Sequence, residues 1–235
     1  FPSKTAKERL IIEKEFYSHL CDVIVETVKL ASISLEELQE RVTVEGFEEV
    51  NNNRVEGQQM ILMLGHQSNW EWAFSAWHSR IPMELNAVYH PLGDKAVDDL
   101  VKKIRTRFGA GVVPMSQTIR KMVECSGKSS AIALISDQTP SNKNNTWLDF
   151  LNQDTLVFDG PEKIARKFKA QVYYCAIKKV SRGRYKIVPH LLSNDGSKLE
   201  NGMLTKLFFS GLEKDILEQP SYWLWSHKRW KHKRV

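Results

Sequence analysis

The sequence predicts a layered α/β fold: one α/β domain with a largely parallel central sheet, part of it antiparallel, preceded by a helical extension. Three observations predict it. From Met60 onward, short apolar runs alternate with amphipathic stretches. The longest clean apolar runs, MILML at 60–64 and AIALI at 131–135, are strand-sized. Two strand-like runs near 171–190 are separated only by Ser181-Arg182-Gly183. Strands alternating with helices build a parallel sheet between helical layers, whereas a short Gly-containing connection makes an antiparallel hairpin. The extension is expected over 1–41 and the α/β domain over 42–235.

The elements follow in order. Leu10, Phe16, Leu20, Val23, Val28 and Leu30 recur at three- and four-residue steps between Lys and Glu, predicting a helix over 5–29. Ser34 with Glu37 three residues later is a capping box that starts a second helix. Val42-Thr43-Val44 is a short strand, and the fully apolar 60–64 run a buried one. Helices are expected over 69–81, 95–108, 116–125, 160–170 and 203–217. Strands are expected over 85–90, 109–115, 129–136, 171–180 and 184–190, with a polar loop, SNKNN, over 141–145. Pro161 suits the first turn of the 160–170 helix, where its missing N–H is not needed.

Composition narrows the class. The chain has 235 residues, 42% apolar and 26% charged, which excludes a disordered or fibrous protein. Its apolar runs fall well short of the roughly 18 residues of a membrane span. Lys and Arg number 34 against 28 Asp and Glu. Five of the basic residues, Lys228, Arg229, Lys231, Lys233 and Arg234, fall in the last ten positions. The body is therefore near neutral and the end is basic, which suits an anionic partner. Trp223, Trp225 and Trp230 interleave with those cations. Membrane-interface anchoring and nucleic-acid binding both use that composition, and burial in the core is a third reading. A mixture is expected, with tryptophans partly buried and cations exposed. Cys21, Cys125 and Cys175 are odd in number and unpaired by spacing, as in a reducing compartment.

Several motifs are excluded. Gly127-Lys128-Ser129 lacks the glycine five positions earlier that a phosphate-binding loop needs. There is no G-x-S-x-G, H-E-x-x-H or strand-linked G-x-G-x-x-G. What remains is GHQSNWEW, Gly65 to Trp72, where a buried strand ends and a helix begins. Ligands of α/β sheets meet the carboxyl ends of strands there. His66 lies in the turn and Glu71 one helical turn on. A carboxylate on one imidazole nitrogen fixes the tautomer and makes the other nitrogen a better base. The following helix offers free N–H groups to a developing oxyanion. A second reading stands beside it: Ser68 to Glu71 is also a capping box, which would assign Glu71 to the helix start.

The strand followed by G-H-x-x-N-W-E resembles the His-x4-Asp/Glu motif of the lysophospholipid acyltransferase superfamily. More narrowly, the chain is similar to the bacterial lipid A biosynthesis acyltransferase family. VYHPLGDKAVDDLVKKIRTRFG resembles that family's strand, Pro loop and basic helix, although His90 stands where relatives often carry Arg. Ile135-Ser136-Asp137-Gln138 resembles its acidic strand end, and GPEKIARKFKAQVYY its Gly-Pro helix and strand. PSYWLWSHKRWKHKR resembles its closing signature.

The resemblance implies transfer of a fatty acyl group from an acyl carrier protein or coenzyme A thioester to a hydroxyl or amine of a membrane lipid. No metal and no cofactor beyond the acyl co-substrate are implied. His66 would be the general base and Glu71 its orienter. Arg105 and Arg107 would bind phosphate through the guanidinium fork; the alternative is a solvated face shared with Lys102 and Lys103. Asp137 and Gln138 would position the acceptor or an arginine, or only shape a turn. Asn69 would orient the acceptor or only support the helix start. The implied location is the cytoplasmic face of the bacterial inner membrane, anchored by a hydrophobic helix before Phe1. Nucleic acid is not an expected partner. A non-catalytic lipid- or nucleic-acid-binding module of this fold is the alternative, and a hydrolase that activates water is a third reading.

Overall fold

The computed structural model describes residues 1–81, 83–141 and 146–234. The SNKNN loop expected over 141–145 thus lies, from 142 on, outside the described residues. A seven-stranded sheet in the order β1-β9-β8-β2-β5-β3-β4 forms the centre. Its strands are β1 (Val42–Val44), β2 (Met60–Leu64), β3 (Glu84–Tyr89), β4 (Gly111–Pro114), β5 (Ser130–Ile135), β8 (Gln171–Ser181) and β9 (Arg184–Ser193). β2 pairs in parallel with both β5 and β8, and β3 lies in parallel between β5 and β4. The β8–β9 hairpin turns the sheet antiparallel, as the short Ser181-Arg182-Gly183 connection requires. β1 then pairs in parallel with β9.

Period-two alternation divides the central strands between two cores. On β2, Met60, Leu62 and Leu64 join one, and Ile61 and Met63 the other. On β8, Tyr173, Cys175 and Ile177 oppose Val172, Tyr174 and Ala176 in the same way. The first core is closed by residues of α2 (Leu35–Arg41), α3 (Phe47–Asn52), α4 (Trp70–His78) and α5 (Lys95–Arg105). The second is closed by α6 (Thr118–Glu124), α7 (Gly160–Phe168) and α8 (Met203–Glu218). A strand covered on both faces has no solvated side, so β2 and β5 read as continuous apolar runs.

Two elements carried no sequence signal. The short helix α3 follows Gly46, whose φ of 66° starts it without a side-chain cap. The hairpin of β6 (Trp147–Phe150) and β7 (Gln153–Leu156) turns at Leu151 and Asn152, with φ of 53° and 59°. Two left-handed residues suit a tight hairpin, but Leu is not a residue that announces one. Its strain is held by the Leu151 N–H donating to Glu213 at 3.1 Å.

The first helix, α1 (Ala6–Lys29), starts at a capping box of Thr5 and Glu8. It is inverted relative to an ordinary surface helix. It turns His19, Asp22 and Glu26 inward with Phe16 and Val23, and leaves Leu10, Tyr17, Ile24 and Val28 exposed. The inward polar groups are matched. Asp22 takes Arg182 at 2.9 and 2.8 Å and Lys179 at 3.4 Å. Glu26 accepts from Tyr185 at 2.7 Å and Asn69 at 2.6 Å. The Trp72 indole donates to the Glu26 carbonyl at 2.7 Å. Among the described residues no helix is long and apolar enough to cross a membrane.

His19 is 4% exposed, and burial, reinforced by the Lys179 ammonium, pushes its pKa down to about 4. The unfolded chain binds the proton at about 6.5, so the stability from neutral His19 is complete above that pH. It is lost as pH falls toward 4, by an amount on the order of 3 kcal/mol. Chemical denaturation of wild type and His19→Gln at several pH values checks this. The variant should lose less stability between pH 6.5 and 4; parallel curves would remove His19 as the cause.

Candidate active site

β2 and β5 are adjacent parallel strands in register, Leu64 opposite Ile135, and the Ser136 N–H bonds the Leu64 carbonyl at 3.1 Å. Two residues further along each chain the register brings His66 beside Asp137. Gly65 is needed at the exit of β2, since a Cβ there would stand 2.6 Å from a Leu212 methyl of α8. The turn then passes through Ser68 at φ 56° and reaches Asn69, whose carboxamide oxygen caps α4 at the Trp72 N–H, 2.9 Å away.

Asp137 is 2% exposed and receives three donors. The His66 backbone N–H reaches Oδ2 at 2.8 Å, and the Trp223 indole reaches the same oxygen at 2.8 Å. His66 Nδ1 lies 2.6 Å from Oδ1. Burial opposes the charge on Asp137, but His66 and the Trp223 indole together hold its carboxyl below the ordinary value. A carboxylate only accepts, so Nδ1 is the donor to it, and in the neutral ring Nε2 is then the nitrogen with the lone pair. The ring packs edge-on to Trp70 with centroids 5.0 Å apart. The Gln138 amide nitrogen stands 3.5 Å from Nε2, the side from which a hydroxyl would approach.

The carboxylate expected on the imidazole was Glu71, and the structure corrects that pairing. With Asn69 as cap, Glu71 occupies the second helical position, so the capping box from Ser68 does not form. Glu71 instead grips Arg105 of α5 with two bonds, to Nε at 2.8 Å and Nη2 at 2.5 Å. The pair is largely buried, with side chains 11% and 27% exposed. Asn69 is completely buried. Its oxygen caps α4 and its nitrogen bonds Glu26, so both of its polar atoms serve the helix start. Arg107 lies apart from this cluster. Its guanidinium donates to the Leu30 and Ile33 carbonyls just past α1.

The C-terminal segment is part of the site. The Ser68 N–H bonds the Tyr222 carbonyl at 2.8 Å, and the Leu224 N–H bonds the His66 carbonyl at 3.0 Å, with Gln67 and Trp223 forming an antiparallel bridge. The His66 turn is therefore strapped by residues 222–224. Further on, the Thr139 N–H donates to His227 Nε2 at 3.0 Å, and the Thr139 hydroxyl to the Arg229 carbonyl at 2.7 Å. The expectation of five exposed cations is corrected at one position. Lys228, Lys231, Lys233 and Arg234 are exposed, but Arg229 is 2% exposed. Among the described residues no group of three or more His, Cys, Asp or Glu is placed to hold a metal ion.

The family model described as bacterial lipid A biosynthesis acyltransferase covers residues 1–232. A protein of Haemophilus influenzae named lipid A biosynthesis acyltransferase is 24% identical over 176 residues. That match takes in 73% of this chain and 54% of the relative, so the chain spans about half the length of the protein it matches.

The Glu71–Arg105 pair generates a prediction. Removing one partner leaves a buried charge unmatched, whereas removing both does not. Denaturation of Glu71→Gln, Arg105→Gln and the double variant should give a coupling of about 1–2 kcal/mol. Additive losses would mean the two bonds carry no net interaction.

Proposed function

The chain belongs to the bacterial lipid A biosynthesis acyltransferase family, and on that premise we propose that it moves a fatty acyl group from a carrier thioester to a hydroxyl of a membrane lipid, with His66 as general base. The observation that carries this reading is the Asp137–His66 contact of 2.6 Å at the end of β2, with Nε2 turned away from the carboxylate.

The steps follow from the proton positions. The acceptor hydroxyl gives its proton to Nε2 as its oxygen attacks the thioester carbonyl. The imidazolium that forms is stabilised by Asp137, which donates no proton itself. The tetrahedral oxyanion collapses, the C–S bond breaks, and the thiolate takes the proton back from Nε2. Ester and free thiol are the products, and His66 returns neutral. Arg105, fixed by Glu71, supports the reading as a preoriented cation for a phosphate of donor or acceptor, a task that suits the guanidinium fork. The four exposed cations of the C-terminus and the outward Leu10, Tyr17, Ile24 and Val28 of α1 suit an anionic bilayer that carries the acceptor.

The test incubates the purified chain with an acyl carrier protein thioester and a lipid A precursor in vesicles. Acylated lipid and free thiol should form together, faster on anionic than on neutral vesicles, with the difference shrinking as salt is raised. His66→Ala should lower the rate by about 10²–10⁴ with the fold intact. Free fatty acid without acylated lipid would mean a hydrolase, and wild-type rates for His66→Ala would remove the base.

A further inference from the structure

The same site holds a second buried charge that this mechanism leaves unused. Arg229 is 2% exposed, and its Nε, Nη1 and Nη2 have no hydrogen-bond partner among the described residues. Its guanidinium lies 5.8 Å from the centroid of the Phe209 ring. Its backbone is tied at both groups, the N–H donating to the His227 carbonyl at 2.8 Å and the carbonyl accepting from Thr139, two residues past Asp137. An unpaired guanidinium out of water is strongly unfavourable, because it cannot shed its proton at neutral pH.

Asp137 has the converse problem. To act as a base, His66 must begin neutral. At that moment every donor on Asp137 among the described residues is uncharged: one backbone N–H, one imidazole N–H and one indole N–H. A carboxylate 2% exposed is then a buried anion without a cation in contact. The two unmatched charges are of opposite sign and belong to segments joined through Thr139, and the Trp223 indole that binds Asp137 packs against Trp230, the chain neighbour of Arg229.

We propose that Arg229 is the through-space counter-ion of Asp137, a positioning residue that lets the carboxylate stay ionised while His66 is neutral. The inference rests on the role given to His66 above. Among the described residues, the other groups around His66 do not supply this charge. Gln138 and Trp70 are neutral. Glu71 and Arg105 match one another. Burial pushes His227 down, toward its neutral form, and His19 on α1 is held neutral as well. Lys228 and Lys231 are exposed and screened by solvent. Burial lowers Arg229 to about 10, opposed by Asp137, which leaves it charged at neutral pH.

Removing the cation would favour the imidazolium. Histidine-labelled protein titrated by NMR reads the His66 midpoint directly. In Arg229→Gln the midpoint should rise by roughly one pH unit, and in Arg229→Lys by no more than a few tenths. The acid limb of the transfer rate should move with it. An unchanged midpoint in a folded Arg229→Gln would overturn the proposal and leave Arg229 as packing on Phe209. A midpoint that moves without the rate following would uphold the counter-ion and sink the role of His66 as base. Should Arg229→Gln not fold, the wild type still decides: the Arg229 Nε–H resonance should shift at the His66 midpoint, and a flat resonance would overturn the claim.

Discussion

One buried carboxylate organises this molecule. Asp137 sits at the end of a strand with no water to stabilise its charge, so each surrounding element must supply a donor. The β2 turn supplies the His66 backbone and ring, and the C-terminal segment supplies the Trp223 indole. Those donors come from positions 66 and 223, far from 137 in sequence, so the carboxylate is satisfied only when the whole sheet and its last crossover are in place. Folding and site assembly are thus one event. An unsatisfied acid at that depth would cost more than a hydrogen bond returns.

The same accounting explains the N-terminal helix. α1 is docked through ionic and hydrogen-bonded groups, Asp22 to Arg182 and Lys179, Glu26 to Tyr185 and Asn69. Such contacts set orientation more than they add stability, since desolvation offsets most of the attraction. Orientation matters here because Glu26 fixes the carboxamide of Asn69, and Asn69 caps the helix that begins just after His66. α1 therefore reaches the active turn through two side chains. Leu10, Tyr17, Ile24 and Val28 are left to face outward.

Much of this was legible in the sequence, for physical reasons that differ by element. β2 and β5 were visible because burial on both faces leaves only apolar residues. His66 stood out because it falls where a buried strand ends and a helix begins, in a run that resembles the His-x4-Asp/Glu motif. Its partner was misread because proximity along the chain favoured Glu71, whereas strand register favours Asp137. The residue named for the acceptor was thus the one that holds the His66 ring. Nothing in a linear pattern states that β2 and β5 are neighbours with an offset that aligns 66 with 137. Arg229 was misread for a related reason: in a run of five cations, composition implies exposure, and only packing shows that one turns inward against Phe209. Asn69 followed the same logic, since Ser68 looks the better cap until the turn places Ser68 in the left-handed region.

The central claim is that Asp137 fixes His66 as the Nδ1–H tautomer and leaves Nε2 bare for a hydroxyl proton. Imidazole ¹⁵N shifts of the full chain at neutral pH report this directly. The account predicts a protonated Nδ1 and an unprotonated Nε2 in the wild type, with that preference lost in Asp137→Asn. A wild-type His66 found as the Nε2–H tautomer, or one whose shifts ignore the loss of Asp137, would contradict it.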